Sequence, residues 1–275
     1  PLIRGGYRSR EMEDVLDEIR TLAEKGVKEH VLVAQDTSRF GIDRVGHSQL
    51  PELLERASEI PGVEWLRVLY CYPDEIDEEL LNAMARHDNI CKYLDLPLQH
   101  ADPLLLKRMN RRGDPEKTRR LLHRAREMGF TLRTTFIVGF PGETDEQFAH
   151  LMDFVREIQF DRLGAFTYSP EEGTPAAAMP DQIDDEVKNH RAEIIMESQM
   201  SIMDRLGEKQ VGRDITVLTE GFDRYAECWF GRSAMDAPDI DGKVFFSAET
   251  KPYYGEMVTV HVDEAIDGDL FGTRV

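Results

Sequence analysis

Apolar residues recur along the first two thirds of the chain with two alternating periods. Met12, Val15, Leu16, Ile19, Leu22 and Ala23 lie on one face of a helix spanning Glu11 to Lys25, which Gly26 ends. HVLVAQ then reads as a short strand that runs into the polar loop Asp36 to Gly41. The alternation repeats with a helix around Leu50 to Ile60, a strand from Trp65 to Tyr72, a helix from Asp77 to His87 and the strand KYLDLPLQH. Two basic helices, Pro103 to Asn110 and Pro115 to Met128, precede the strand that starts at Thr131; a helix from Asp145 to Ile158 and the strand RLGAFTYS follow it. Strands alternating with helices through short connections predict an α/β fold with a parallel sheet and right-handed crossovers. Five such strands are too few for a closed eight-stranded barrel.

The organising stretch is TLRTTFIVGFPGET, Thr131 to Thr144: a strand, a sharp turn and a helix start. Thr144 and Gln147 have the spacing of a capping box, which directs the first helix amides toward the carboxyl end of the strand, where ligands of parallel folds sit. Gly139 and Gly142 would let backbone approach a flat ligand closely; a tight connection with no ligand is the alternative. Arg133 alternates with Thr135 and Ile137 on one strand face, opposite Leu132, Thr134, Phe136 and Val138. On a lumen-facing side its guanidinium could pair with a ligand carboxylate or form a structural ion pair.

From Asp184 to about Lys209 a long helix covers the sheet and leads to a different grammar. After Gly212 come short strands, ITVLTE, RYAECWF, KVFFSA, YGEMVTVHV and DLFGTRV, punctuated by glycine and aspartate. They predict a small antiparallel β-barrel of the OB or related type.

The 275 residues carry 34 Lys plus Arg against 53 Asp plus Glu, a formal net charge of -19. Such a surface repels phosphate backbones and favours basic partners. From Arg213 onward there are 6 basic and 13 acidic residues, a net of -7. An acidic terminal barrel is poorly suited to gripping RNA and well suited to a basic protein. The arginine-rich run from Lys107 to Arg126 is the exception, a local patch that could meet RNA or form a solvated helix face. Cys71, Cys91 and Cys228 are too far apart to read as a disulfide framework or a metal site, and buried reduced thiols are expected. With no membrane-length apolar run and no signal-peptide pattern, the expected location is the cytoplasm.

Seven motifs stand in order: IRGGYRSR, LVAQDTSRFG, LPLQHADPLLLKRMNRR, TTFIVGFPGET, FTYSPEEGTPA, GRSAMDAPDIDG and GDLFG. From Arg4 to Gly272 the chain resembles the methylthiotransferases of the radical S-adenosylmethionine (SAM) superfamily. The resemblance implies a partial TIM-type barrel core over residues 1-211 and a terminal TRAM barrel over 212-275. It implies SAM and two 4Fe-4S clusters as cofactors of the intact protein. Gln35, Gln99, Arg133, Gly139, Phe140, Pro141 and Gly142 match positions expected near SAM. His100, Asp236, Asp239 and Asp241 are expected to contribute to substrate contact or pocket shape.

Within the family, Gln35-Asp36, Gln99-His100 and GRSAMDAPDIDG resemble the branch that adds a methylthio group to an aspartate side chain of small-subunit ribosomal protein twelve. The branch acting on tRNA adenosine, which usually shows Gln-Asn and Gln-Ser at the first two places, is the alternative. The superfamily's CxxxCxxC loop is absent from this sequence. The resemblance would put it about three residues before Pro1, with a first strand and another cluster-bearing domain further upstream. The expectation is a fragment with one uncovered sheet edge, inactive alone and at most a binding module.

Overall fold

The computed structural model describes residues 5-111 and 113-275; Ile3 and Arg4 of the opening motif and Arg112 of the basic run lie outside them. The five expected strands form where β-branched and aromatic residues concentrate: β1 (Glu29–Leu32), β2 (Trp65–Val68), β3 (Tyr93–Gln99), β4 (Thr131–Val138) and β5 (Arg162–Thr167). All pair in parallel, β1 with β2, β3 with β4 and β4 with β5. Between β2 and β3 the ladder is reduced to a Leu66–Ile90 bridge and a bond from the Cys71 amide to the Asp95 carbonyl (3.0 Å). The strand expected to reach Tyr72 stops at Val68 because Tyr70 takes a left-handed conformation (φ +58°), which residue type does not announce.

Helices α1 (Met12–Glu24), α3 (Leu50–Ser58), α4 (Glu78–Arg86), α5 (Pro103–Arg108), α6 (Pro115–Glu127) and α7 (Asp145–Ile158) cover the outer face; a short α2 (Ile42–Val45) lies between β1 and α3. Their starts follow from capping. Asp77, Asp102 and Asp114 accept first-turn amides, and Thr144 with Gln147 closes the expected capping box. The outer layer buries Leu66, Val68, Leu94, Leu96, Leu132, Phe136 and Val138 from the strands against Leu54, Leu81, Leu122, Leu151 and Val155 from the helices. The other strand face lines an open lumen. Among the described residues β1 has a partner strand on one side only.

The long α8 (Asp185–Glu208) leads to β6 (Asp214–Asp223), β7 (Cys228–Ser233), β8 (Val244–Ser247), β9 (Met257–Ile266) and β10 (Asp269–Arg274). These close a barrel in the order β10-β8-β7-β6-β9, the five-stranded Greek-key closure of an OB-like domain. One pair, β8 with β10, is parallel; the other four are antiparallel.

The end of β7 and the loop after it plug the amino-terminal end of the lumen. Arg67 of β2 is 0% exposed, and its Nε donates to Glu29 Oε1 of β1 (2.7 Å). Its Nη1 and Nη2 donate to the carbonyls of Ala234 (3.0 Å) and Ser233 (3.4 Å). Arg232 Nη2 donates to Glu29 Oε2 (2.5 Å), so one carboxylate bridges two guanidinium groups from different units. Arg162 of β5 donates to Asp236 (2.6 Å), and the Tyr93 hydroxyl donates to Asp241 (2.5 Å). Trp65, Leu69 and Tyr93 pack with Leu218 and Ala237 around these charges.

Burial pushes the Glu29 carboxyl upward, but Arg232 and Arg67 outweigh it and hold its pKa below the ordinary value. Its folded pKa being depressed, its contribution is complete above the unfolded value of about 4.3. That contribution is lost as pH falls through the folded value. The Arg67→Met variant leaves a buried carboxylate short of one partner, at a cost of about 3 to 5 kcal/mol. Each unit has one tryptophan, Trp65 or Trp229. In single-tryptophan variants, urea unfolding followed by fluorescence is expected to show coincident transitions for the wild type and separated ones for Arg67→Met. An unchanged midpoint would count against the lock.

Candidate functional site at the carboxyl rim

With the amino-terminal end plugged, the lumen opens at the carboxyl ends of the strands, the end that carries ligands in parallel barrels. Three large apolar residues stand exposed there: Val33 after β1 (60%), Tyr70 after β2 (43%) and Phe166 in β5 (62%). On β4 the lumen-facing Thr135 and Ile137 are half-buried while their neighbours are fully covered by helices. Gln35 is exposed at the end of a cleft of about 790 Å³ along the free side of β1. Gln99 is half-buried at the end of β3 with φ +72°, its amide donating to the Pro97 carbonyl (3.3 Å). Aromatic and aliphatic walls beside two amide side chains suit a ligand with a flat ring and a polar end.

Arg133 faces the lumen as the alternation predicts, but near the opposite end. Its Nη1 donates to Asp95 (3.0 Å) and its Nε lies 3.6 Å from Asp241. Burial opposes its charge, yet Asp95 and Asp241 raise its pKa above the ordinary value. The ion-pair alternative is therefore the arrangement present, with Nη1 engaged by Asp95 and Nε facing Asp241.

The turn after β4 is left-handed at Gly139 (φ +73°) and Gly142 (φ +76°), as glycine allows. The space beside each is filled by protein rather than open to a ligand: a Cβ at Gly139 would overlap the Lys188 side chain, and one at Gly142 the Arg108 guanidinium. Phe140 and Pro141 are buried, with Phe140 edge-on to Tyr168 at 5.2 Å. The Gly139 amide donates to Glu143 Oε2 (2.5 Å), which also accepts from Arg191 of α8 (2.7 Å).

His100 is buried too, in the wall of a cavity of about 290 Å³, and its ring is held by the turn. The Asp102 amide donates to its Nδ1 (2.9 Å), which leaves Nε2–H to donate to Glu143 Oε1 (3.0 Å). Asp236 and Asp241 differ from the expected substrate surface. Both carboxylates face Arg162, Arg133 and Tyr93 between the two units, because charges at that depth need partners. Asp239 alone of the three is exposed.

Three arginines of the described part of the basic run have acidic partners. Arg119 meets Glu116 and Glu157, Arg124 meets Glu127 and Glu78, and Arg126 meets Asp161 (2.5 Å). Sequence reasoning missed Tyr70, Glu143, Phe166 and Arg191. Glu143 carried a usable signal, an acid directly after a glycine turn; the other three had none apart from their place in the fold.

A model of the radical SAM superfamily matches residues 2–155, and a model of the TRAM domain matches residues 211–275. The ribosomal protein uS12 methylthiotransferase RimO of Desulforamulus reducens is 46% identical over 275 residues, 99% of this chain and 62% of that protein. The enzyme of the same name from Acetivibrio thermocellus is 47% identical over 274 residues, 99% of this chain and 60% of that protein. The chain thus spans about three-fifths of the length of the curated relatives it matches. Among solved structures, Streptococcus suis SuiB bound to S-adenosylmethionine aligns over 71% of this chain and 42% of its own at 18% identity, with a TM-score of 0.48.

The superfamily implies SAM and a 4Fe-4S cluster. The rim fits the first; the cysteines of this chain do not fit the second. Cluster ligation requires accessible thiolates grouped around one site. Burial pushes the Cys71 thiol well up, with Asp95 adding to it, and pushes Cys91 up to about 11. No group of three or more metal-binding side chains occurs among the described residues. A disulfide-exchange reagent is expected to label Cys228, the half-exposed thiol, in the native chain, and more slowly than free cysteine because burial and Asp223 raise its pKa. Cys71 and Cys91 are expected to react only after denaturation; rapid native labelling of either would contradict their placement.

Proposed function

The chain belongs to the radical SAM superfamily, and on that premise we propose that it is the SAM-binding and substrate-docking part of a methylthiotransferase acting on an aspartate side chain of ribosomal protein uS12. The observation that carries the reading is 43% to 47% identity over 99% of the chain to enzymes of that name. A radical cluster bound with SAM supplies the bond-breaking chemistry. A second cluster of the intact protein belongs to the same proposal, and so does a cytoplasmic location; no helix among the described residues is long and apolar enough to cross a membrane.

This chain's own residues do the holding. Tyr70, Phe166 and Val33 wall the mouth and exclude water from it, while Gln35 and Gln99 offer amides to the polar end of SAM. Gly139 to Gly142 act one step back: their turn, held by Glu143, His100 and Arg191, keeps the end of β4 in place beside the cofactor. The acidic C-terminal barrel faces a basic ribosomal protein with complementary charge, which speeds encounter more than it adds affinity.

In cells lacking their own uS12 methylthiotransferase, the intact protein is expected to increase the mass of uS12 by one methylthio group and to leave tRNA adenosine unchanged. Reversing exposed acids of the barrel, Asp239, Glu249 and Glu264 to lysine, is expected to slow association with uS12 several-fold at low salt and little at high salt. Modified tRNA with unmodified uS12 would replace this reading with the tRNA one.

A further inference from the structure

Tyr70 occupies a backbone state that tyrosine avoids. At φ +58° an L side chain crowds its own backbone, and such a residue persists only where its surroundings over-determine it. Three bonds do so. The Tyr70 amide donates to Asp95 Oδ2 (3.0 Å), its carbonyl accepts from the Thr37 amide (2.9 Å), and the Cys71 amide donates to the Asp95 carbonyl (3.0 Å).

Of these, the carboxylate bond leads elsewhere. Asp95 Oδ1 accepts from Arg133 Nη1 (3.0 Å), and Arg133 Nε faces Asp241 Oδ1 (3.6 Å) in the loop that follows β7. Asp241 is fixed in turn at Oδ2, by the Tyr93 hydroxyl (2.5 Å) and the Ala237 amide (2.9 Å). A line of hydrogen bonds joined by one ion-pair contact, Arg133 to Asp241, therefore runs from the C-terminal barrel, through the lumen, to the mouth. Arg133 is shared between two carboxylates. With Asp241 withdrawn, its planar fork recentres on Asp95 alone, where a bidentate pair needs both carboxylate oxygens. That draws Oδ2 toward the arginine and out of line with the Tyr70 amide, and the bond that offsets the strain of the left-handed state weakens.

We propose that Asp241, Arg133 and Asp95 are positioning residues through which docking of the C-terminal barrel holds Tyr70 in its left-handed state at the mouth of the lumen. The physical requirement for such coupling is an element with two discrete states that both ends bias, and the backbone of Tyr70 is that element. The proposal rests on the geometry of the chain and not on the identity of the ligand, so it is tested without cofactor or substrate.

The chain is labelled with 3-fluorotyrosine, and the Tyr70 resonance is assigned from Tyr70→Phe among the 8 tyrosines. In Asp241→Asn and Arg133→Met the Tyr70 signal is expected to shift and its amide to exchange at least tenfold faster; in the double variant no further change is expected. Arg133→Lys is expected to restore part of the protection. Asp236→Asn weakens the other anchor of the same loop, to Arg162, and is expected to leave Tyr70 unchanged. Should Asp241→Asn fold poorly, Tyr93→Phe removes only the hydroxyl that fixes Asp241 and is expected to move Tyr70 in the same direction. An unmoved Tyr70 in Asp241→Asn or Tyr93→Phe, or an equal response to Asp236→Asn, would overturn the relay.

Discussion

A guanidinium with no access to water has to be neutralised and hydrogen-bonded where it stands, and Arg67 meets that demand only because two parts of the chain come together around it. Glu29 of the adjacent strand supplies charge, and the carbonyls of Ser233 and Ala234 supply acceptors from 166 and 167 residues away. Glu29 in turn needs Arg232 for its second oxygen. Each unit pairs part of its own buried charge, Arg67 with Glu29 and Arg232 with Glu220, and takes the remaining partners from the other. A buried pair of this kind adds little net stability over an apolar equivalent, but separating it is expensive, so its effect is to specify one docking geometry.

That geometry divides the partial barrel into two ends with different duties. At the amino-terminal end, polar groups are spent on each other and on the plug. At the carboxyl end, Val33, Tyr70 and Phe166 are left uncovered. The division also changes what the net charge of -19 means. Asp236, Asp241, Glu29 and Asp95 contribute to the count but are consumed inside by Arg162, Arg133, Arg67 and Arg232. The field felt by a partner comes from the remaining surface acids, such as Asp239, Glu249 and Glu264.

Periodicity made most of the architecture legible, because which face of an element is buried is a local property of the chain. The alternation on β4 correctly separated Arg133 from Phe136, and the capping box at Thr144 was correctly placed. What lay beyond reach were the partners. For Arg133 the strand pattern leaves a ligand carboxylate and an ion pair equally open, and its ion-pair partner Asp241 lies more than a hundred residues later. Gly139 and Gly142 do need their left-handed φ, yet the atoms crowding them belong to Lys188 and Arg108. His100 looked available because histidine on a polar rim usually is; its burial depends on Glu143 and Arg191 arriving from separate elements.

The rim itself repeats one construction. The chain turns left-handed at Tyr70 after β2 and at Gly139 after β4; each amide donates to a buried carboxylate, Asp95 or Glu143, and each carboxylate pairs with an arginine, Arg133 or Arg191. The carboxylate satisfies an amide that a sharp turn would otherwise orphan, and the arginine makes its burial tolerable. The two arginines differ in what holds them. Arg191 belongs to α8, the helix that leads into the C-terminal barrel, and Arg133 touches Asp241 of that barrel directly. The mouth of the lumen is thus braced from two directions by the same C-terminal part of the chain, once by covalent continuity and once by docking. A barrel that only captured a partner would need neither brace, so its place at the amino-terminal end is tied to the shape of the opposite rim.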